Sequence, residues 1–293
     1  MSRFREWLAA GPLVTDGAWG TELHKRGLAA GETPDAWNLQ HPERVEEVGT
    51  AYREAGSQVI LTNTFRSNPI ALAGCGLAGD TEAINRAGVA ISRKAAAGKA
   101  LVFASIGPTG KLLMTGDVTE EEVRRAFSRQ AAALAGAGAD ALLIETMSDP
   151  SEARLALAAA RETGLPAIVS FAFDSGRKHD RTMMGATPED AARAAEEGGA
   201  SAVGANCGAG PAAFAEICRR MRAACGLPVW LKPNAGMPSL VAGEVLYSES
   251  AEEFAASAAG LLGMGASFVG GCCGTSPEFI RALAKRAATC ASG

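Results

Sequence analysis

Little in this sequence of 293 residues points to a membrane, a nucleic acid or a nucleotide. No run approaches the ~18 consecutive apolar residues of a membrane-spanning helix. The opening stretch, Met1 to Gly17, is too short and too broken in its apolar character for a signal peptide. A cytoplasmic location with no membrane partner is therefore expected. Lys and Arg are scattered, and a formal net charge of -4 gives no electrostatic reason to bind nucleic acid. Phosphate-cradling loops are missing too. Asp16-Gly17-Ala18-Trp19-Gly20-Thr21 is not G-x-G-x-x-G, and no G-x-x-x-x-G-K-[ST] occurs. Aromatic residues make up 5% of the chain, and there are only three histidines, His24, His41 and His179. None of the histidines ends an apolar run, so they read as loop or surface residues.

Cysteine is the exception, with seven. In a reducing compartment these are metal ligands, nucleophiles or core fillers rather than disulfides. Cys75, Cys218, Cys225 and Cys290 sit alone among apolar or small residues and read as incidental thiols. Cys207, Cys272 and Cys273 stand in a different setting.

Short apolar runs alternate with longer Ala/Glu/Arg-rich stretches. The runs are Leu13–Asp16, Gln58–Thr64, Leu101–Pro108, Ala141–Thr146, Ala167–Phe173, Ala202–Gly208, Val229–Gly236 and Phe268–Gly274. Continuous apolar character suits strands covered on both faces, as in a parallel sheet. Helices are expected over Glu120–Ala135, Pro150–Glu162 and Ser250–Leu262, with caps at Thr119, Ser148 and Thr187. Eight such alternations predict an α/β fold, a (β/α)8 TIM barrel forming one domain over residues 1–293. A doubly wound sheet is the runner-up and lacks its Gly-rich loop. The stretch Asp174–Thr187 is polar and aperiodic and reads as a long loop.

Polar and reactive residues gather where the runs end: Asp16-Gly17, Asn63-Thr64, Gly107-Pro108, Glu145-Thr146, Asn206-Cys207, Lys232-Pro233-Asn234 and Cys272-Cys273. In a barrel these ends converge on one rim, where active sites of the fold lie. Adjacent residues of a regular strand face opposite ways, so Cys272 and Cys273 share a metal only if the strand breaks there. Gly270, Gly271 and Gly274 supply the irregularity. Three thiolates make a soft site for Zn2+ with a position left for substrate, and no fourth Cys or His is placed to close it. A thiolate-rich zinc activates an incoming thiol better than it activates water, which points to alkyl transfer onto sulfur.

Asp16-Gly17-Ala18-Trp19-Gly20-Thr21, Asn63-Thr64-Phe65, Glu145-Thr146, Gly204-Ala205-Asn206-Cys207, Pro233-Asn234-Ala235-Gly236 and Gly271-Cys272-Cys273-Gly274-Thr275 together resemble the homocysteine S-methyltransferase family. The resemblance runs from about residue 10 to 285 and is closest to the homocysteine-binding module of cobalamin-dependent methionine synthase. It implies a zinc barrel that forms methionine, with Cys207, Cys272 and Cys273 as the zinc ligands. It further implies that Glu145 takes the homocysteine ammonium with Asp16 nearby, and that Gly17 and Thr146 offer backbone donors to the carboxylate. Asn63 and Thr64 complete the candidate substrate site as supports. Asn234 could lend an amide oxygen to the metal until substrate arrives.

The donor implied by Asn63-Thr64-Phe65 and Pro233-Asn234-Ala235-Gly236 is a methyl-corrinoid. Glu22-Leu23-His24-Lys25-Arg26-Gly27 is a poor match to the corrinoid-binding D-x-H-x-x-G, so the corrinoid is expected on a separate protein or as a free cofactor. Betaine and S-methylmethionine are the alternative donors; betaine would favour an aromatic cage, and the two tyrosines Tyr52 and Tyr247 offer little toward one. Two rivals remain. One is a barrel enzyme that forms a Schiff base through Lys232. The other is a zinc and homocysteine-binding protein without catalysis.

Overall fold

Each apolar run of the sequence becomes a parallel strand followed by a helix, in a computed structural model that describes residues 2–241 and 244–290. The strands are β1 (Leu13–Val14), β2 (Val59–Leu61), β3 (Leu101–Ile106), β4 (Ala141–Met147), β5 (Ala167–Phe171), β6 (Ala202–Asn206) and β7 (Val229–Lys232). An antiparallel hairpin follows, β8 (Pro238–Val241) with β9 (Glu244–Tyr247), and then the last barrel strand, β10 (Phe268–Val269). The eight barrel strands pair in the order β1-β10-β7-β6-β5-β4-β3-β2, and a parallel bridge from Thr15 to Val59 brings β1 back to β2. The fold is a (β/α)8 TIM barrel.

The helices start where local chemistry tells them to. Thr119, Thr187 and Ser250 each form a reciprocal capping box, with Glu122, Asp190 and Glu253 respectively. The helix Pro150–Arg161 is capped by Asp149, which accepts from Ser151 N at 2.8 Å, and not by Ser148. Pro150 at the first helical position fixes the cap at the residue before it. The polar stretch from Asp174 to Thr187 is the loop expected of it, pinned by a bridge between Ser175 and Arg181.

Side chains alternate between two cores. One lies between the strands and their helices; the other fills the barrel, where Leu61, Phe103, Leu143, Ile168, Trp230 and Phe268 pack together. The short helix Ser2–Leu8, which the apolar pattern did not announce, closes the lower end of the barrel with Phe4 against Phe268 and Trp7 against Phe103. Gly204 faces Trp230 across the β6–β7 pairing, where a Cβ would overlap the Trp230 carbonyl.

Moving up two residues keeps the same face of a strand, and here the chemistry changes. Above Leu61, Phe103, Leu143, Ile168, Gly204 and Trp230 stand Asn63, Ser105, Glu145, Ser170, Asn206 and Lys232. The barrel is thus apolar below and polar at its mouth.

Candidate active site

Three strands end early to build the centre of the mouth. β6 stops at Asn206, β7 at Lys232 and β10 at Val269, short of the expected Gly208, Gly236 and Gly274. Beyond them the chain is held by single hydrogen bonds: Cys207 N to Lys232 O at 3.2 Å, Cys272 N to Pro233 O at 2.7 Å, and Ala235 N to Cys273 O at 3.0 Å. Freed from strand alternation, Cys272 and Cys273 both turn inward. The Cys207 sulfur lies 3.0 Å from that of Cys272 and 3.7 Å from that of Cys273, and all three lie within 4.8 Å of one another. Thiols this close share protons. Hydrogen bonds from Cys207 and Cys272 hold Cys273 well down, at about 3, while hydrogen bonding to its neighbours pushes Cys207 up. The Tyr247 hydroxyl also bonds Cys273, and its ring lies over Gly274, whose φ of +82° and missing Cβ make room for it.

Two residues at the mouth hold left-handed backbone without being glycine: Thr146 with φ +61° and Cys207 with φ +62°. Such strain costs ~1–3 kcal/mol per residue and persists only where neighbours enforce it. Asn206 does so. Its amide oxygen accepts from Thr146 N at 2.9 Å and Ser170 Oγ at 2.6 Å, and its amide nitrogen donates to Thr146 Oγ1 at 2.7 Å.

The charged groups form a second cluster. Lys232 and Asp16, both fully buried, make a short ion pair through Lys232 Nζ and Asp16 Oδ1. The other Asp16 oxygen accepts from Trp19 Nε1 and Leu61 N, each at 2.7 Å. Burial works against the Lys232 charge, but the carboxylates of Asp16 and Glu145 outweigh it and raise its pKa. A Schiff-base lysine must lose its proton to attack a carbonyl, so these neighbours set that reading aside. Glu145 is pushed up to about 7 by burial, with Lys232 and a short hydrogen bond from Ser105 Oγ pulling the other way.

A cavity of about 340 Å³ joins the two clusters. Gly17, Asn63, Glu145, Thr146, Lys232, Cys207, Cys272 and Cys273 all line it, with Trp19, Phe65 and Arg66 toward the outside. Asp16, Thr64 and Asn234 are not in its wall. Asp16 lies behind Lys232, with which it is paired. Thr64 is fully buried and bonds Ser105 O at 2.7 Å, bracing β2 against β3. Asn63 donates to Pro34 O at 2.8 Å and Asn38 Oδ1 at 3.0 Å, so its amide is committed to the loop after β1. Thr146 N, the expected carboxylate donor, is already engaged by Asn206. Asn234 Oδ1 is buried with no hydrogen-bond partner among the described residues, in a segment flanked by the backbone bonds to Cys272 and Cys273.

Residues 13–287 match the family model described as homocysteine S-methyltransferase. The chain belongs to that family. It is 32% identical to proteins named methionine synthase from Mycobacterium leprae and Mycobacterium tuberculosis, which cover 98% and 93% of it. The chain spans about a quarter of the length of these relatives, 25% and 24% respectively. Among solved structures, the metallated form of the Escherichia coli homocysteine methyltransferase MmuM superposes with a TM-score of 0.78 at 27% identity, over 94% of this chain and 96% of that one. The oxidised form of the same protein gives 0.79 at 26%, with the same coverage.

Within this homocysteine S-methyltransferase barrel, reading by residue type missed Ser105 and Tyr247 and placed Asn206 at the rim without a role. Ser105 and Asn206 each stand two positions above an inward-facing residue of the barrel core, a signal present in the sequence once the strands are aligned. Tyr247 carried no such signal, because the hairpin that bears it lies outside the βα repeat.

Proposed function

We propose that this chain is a zinc-dependent homocysteine S-methyltransferase that forms methionine, taking its methyl group from a methyl-corrinoid carried by a separate protein. The observation that carries this reading is the convergence of three cysteine sulfurs within 4.8 Å in a cavity that also exposes Glu145 and Lys232. The donor set fits zinc: three soft sulfurs from Cys207, Cys272 and Cys273, beside the unpartnered buried oxygen of Asn234 as a displaceable fourth ligand. Zinc bound there would supply the positive charge that lowers the pKa of an incoming thiol to neutrality.

The remaining work belongs to side chains. Glu145, ionised, holds the substrate ammonium; Ser105 orients that carboxylate and Gly17 borders it. Asn206 fixes the strained Thr146 and Cys207 that frame the acceptor sulfur. A sulfur–carbon bond forms as the donor–methyl bond breaks, and alignment rather than a general base sets the rate.

A corrinoid is too large for a cavity of about 340 Å³, so a corrinoid donor would meet the acceptor at the mouth. Large apolar side chains lie exposed there, on the loops after β3 (Leu112, Met114), β5 (Met183, Met184) and β7 (Met237) and on β9 (Leu246). Adaptable Met-rich surfaces of this kind suit a docking partner. The test is zinc per chain in anaerobically purified protein, then proton release on adding homocysteine. One zinc with about one proton released supports the reading. Absence of zinc under reducing conditions overturns it. Methionine formation with methylcobalamin, S-methylmethionine and betaine then identifies the donor class.

A further inference from the structure

Lys232 has a role left open by the reading above. Its ammonium carries three N–H donors, yet among the described residues it has one hydrogen-bond partner, Asp16 Oδ1. The residue is 2% exposed and lines the cavity, so its other donors are available to a ligand there. A buried ammonium with open donors beside a cavity calls for an anionic ligand group.

The surrounding groups narrow which one. Asp16 accepts three hydrogen bonds, from Lys232, Trp19 and Leu61, which leaves it little capacity for a ligand cation. Among the described residues Glu145 has one hydrogen-bond partner, Ser105, and it faces the same cavity with acceptor sites free. Thr146 N, which could have received a carboxylate, is held by Asn206. The cavity therefore offers one available carboxylate and one available ammonium in the same wall. An α-amino acid presents the complementary pair on a single carbon.

We propose that Lys232 is the anchor for the acceptor's α-carboxylate, so that Lys232 and Glu145 together select an amino-acid thiol over a simple alkyl thiol. This rests on the homocysteine reading and adds a specificity residue to it. Asp16 is then the positioning residue that steers Lys232 toward the cavity.

The test compares two acceptors on zinc-loaded protein by isothermal titration: homocysteine, and 3-aminopropane-1-thiol, which lacks only the carboxylate. In the wild type, homocysteine should bind roughly 10- to 100-fold more tightly, as expected for a charge-assisted hydrogen bond. Lys232→Met should remove that advantage by weakening homocysteine alone, while Glu145→Gln should weaken both thiols. Equal weakening of both by Lys232→Met, or no weakening, overturns the proposal. If Lys232→Met strands the Asp16 carboxylate and fails to fold, the D16N/K232M double variant removes both charges and is read by the same criterion. Failure of zinc-loaded wild type to bind homocysteine at all would sink the function itself, a result distinct from lost discrimination.

Discussion

Glu145→Gln should make the protein more stable at alkaline pH while damaging its site, and the size of the effect follows from burial. Glu145 is 7% exposed, and its pKa rises from an ordinary 4.5 to about 7, chiefly through desolvation. A group raised on folding contributes stability that is fully present below its unfolded value and is lost as pH climbs through the folded one. Between 4.5 and about 7 the loss comes to about 3 kcal/mol, at ~1.4 kcal/mol per pH unit. Glutamine keeps an acceptor for Ser105 Oγ and has no charge to desolvate. The two proteins should therefore be nearly equal at pH 4.5, and the variant should lead by about 3 kcal/mol at pH 8. Equilibrium urea unfolding of reduced, chelator-treated protein at several pH values measures that gap, and other titrating groups are common to both proteins. A gap independent of pH, or one that widens toward acid, would refute the reasoning. The same linkage acts on binding. A substrate ammonium needs the ionised carboxylate, so homocysteine affinity should fall as pH drops through about 7 and should be weakened in the variant, without that pH dependence.

Cys207→Ser, Cys272→Ser and Cys273→Ser should each lose zinc and methionine formation together, measured by metal analysis and turnover, whereas Cys218→Ser, buried away from the mouth, should keep both. Asn206→Ala removes three hydrogen bonds and releases two strained residues; we expect a loss of about 2–4 kcal/mol in denaturant unfolding and weaker homocysteine binding. Gly204→Ala drives a methyl group into the Trp230 carbonyl inside the barrel, which should cost more than about 4 kcal/mol and abolish cooperative unfolding by circular dichroism. Full turnover by a zinc-free Cys273→Ser protein would end the metal proposal.

The repeat of apolar run and helix made the barrel legible, because strands buried on both faces leave a continuous apolar signature. The cysteines were legible for a related reason: they follow those runs, and a barrel sends all run ends to one rim. What could not be read was where each strand stops. Expected through Gly236 and Gly274, β7 and β10 end at Lys232 and Val269, since the chain there gives up its ladder for single bonds that turn two adjacent cysteines the same way. The hairpin Pro238–Tyr247 was invisible to a search for βα units, and with it the hydroxyl that reaches Cys273. Lys232 is the sharpest case. As a residue type at the end of a strand it suits a nucleophile as well as a cation. The choice is made by Asp16, 216 positions away, and by Glu145, neither of which is near it in sequence. Two carboxylates around one buried ammonium keep it protonated, and a protonated lysine with open donors is built to hold an anion rather than to attack a carbon.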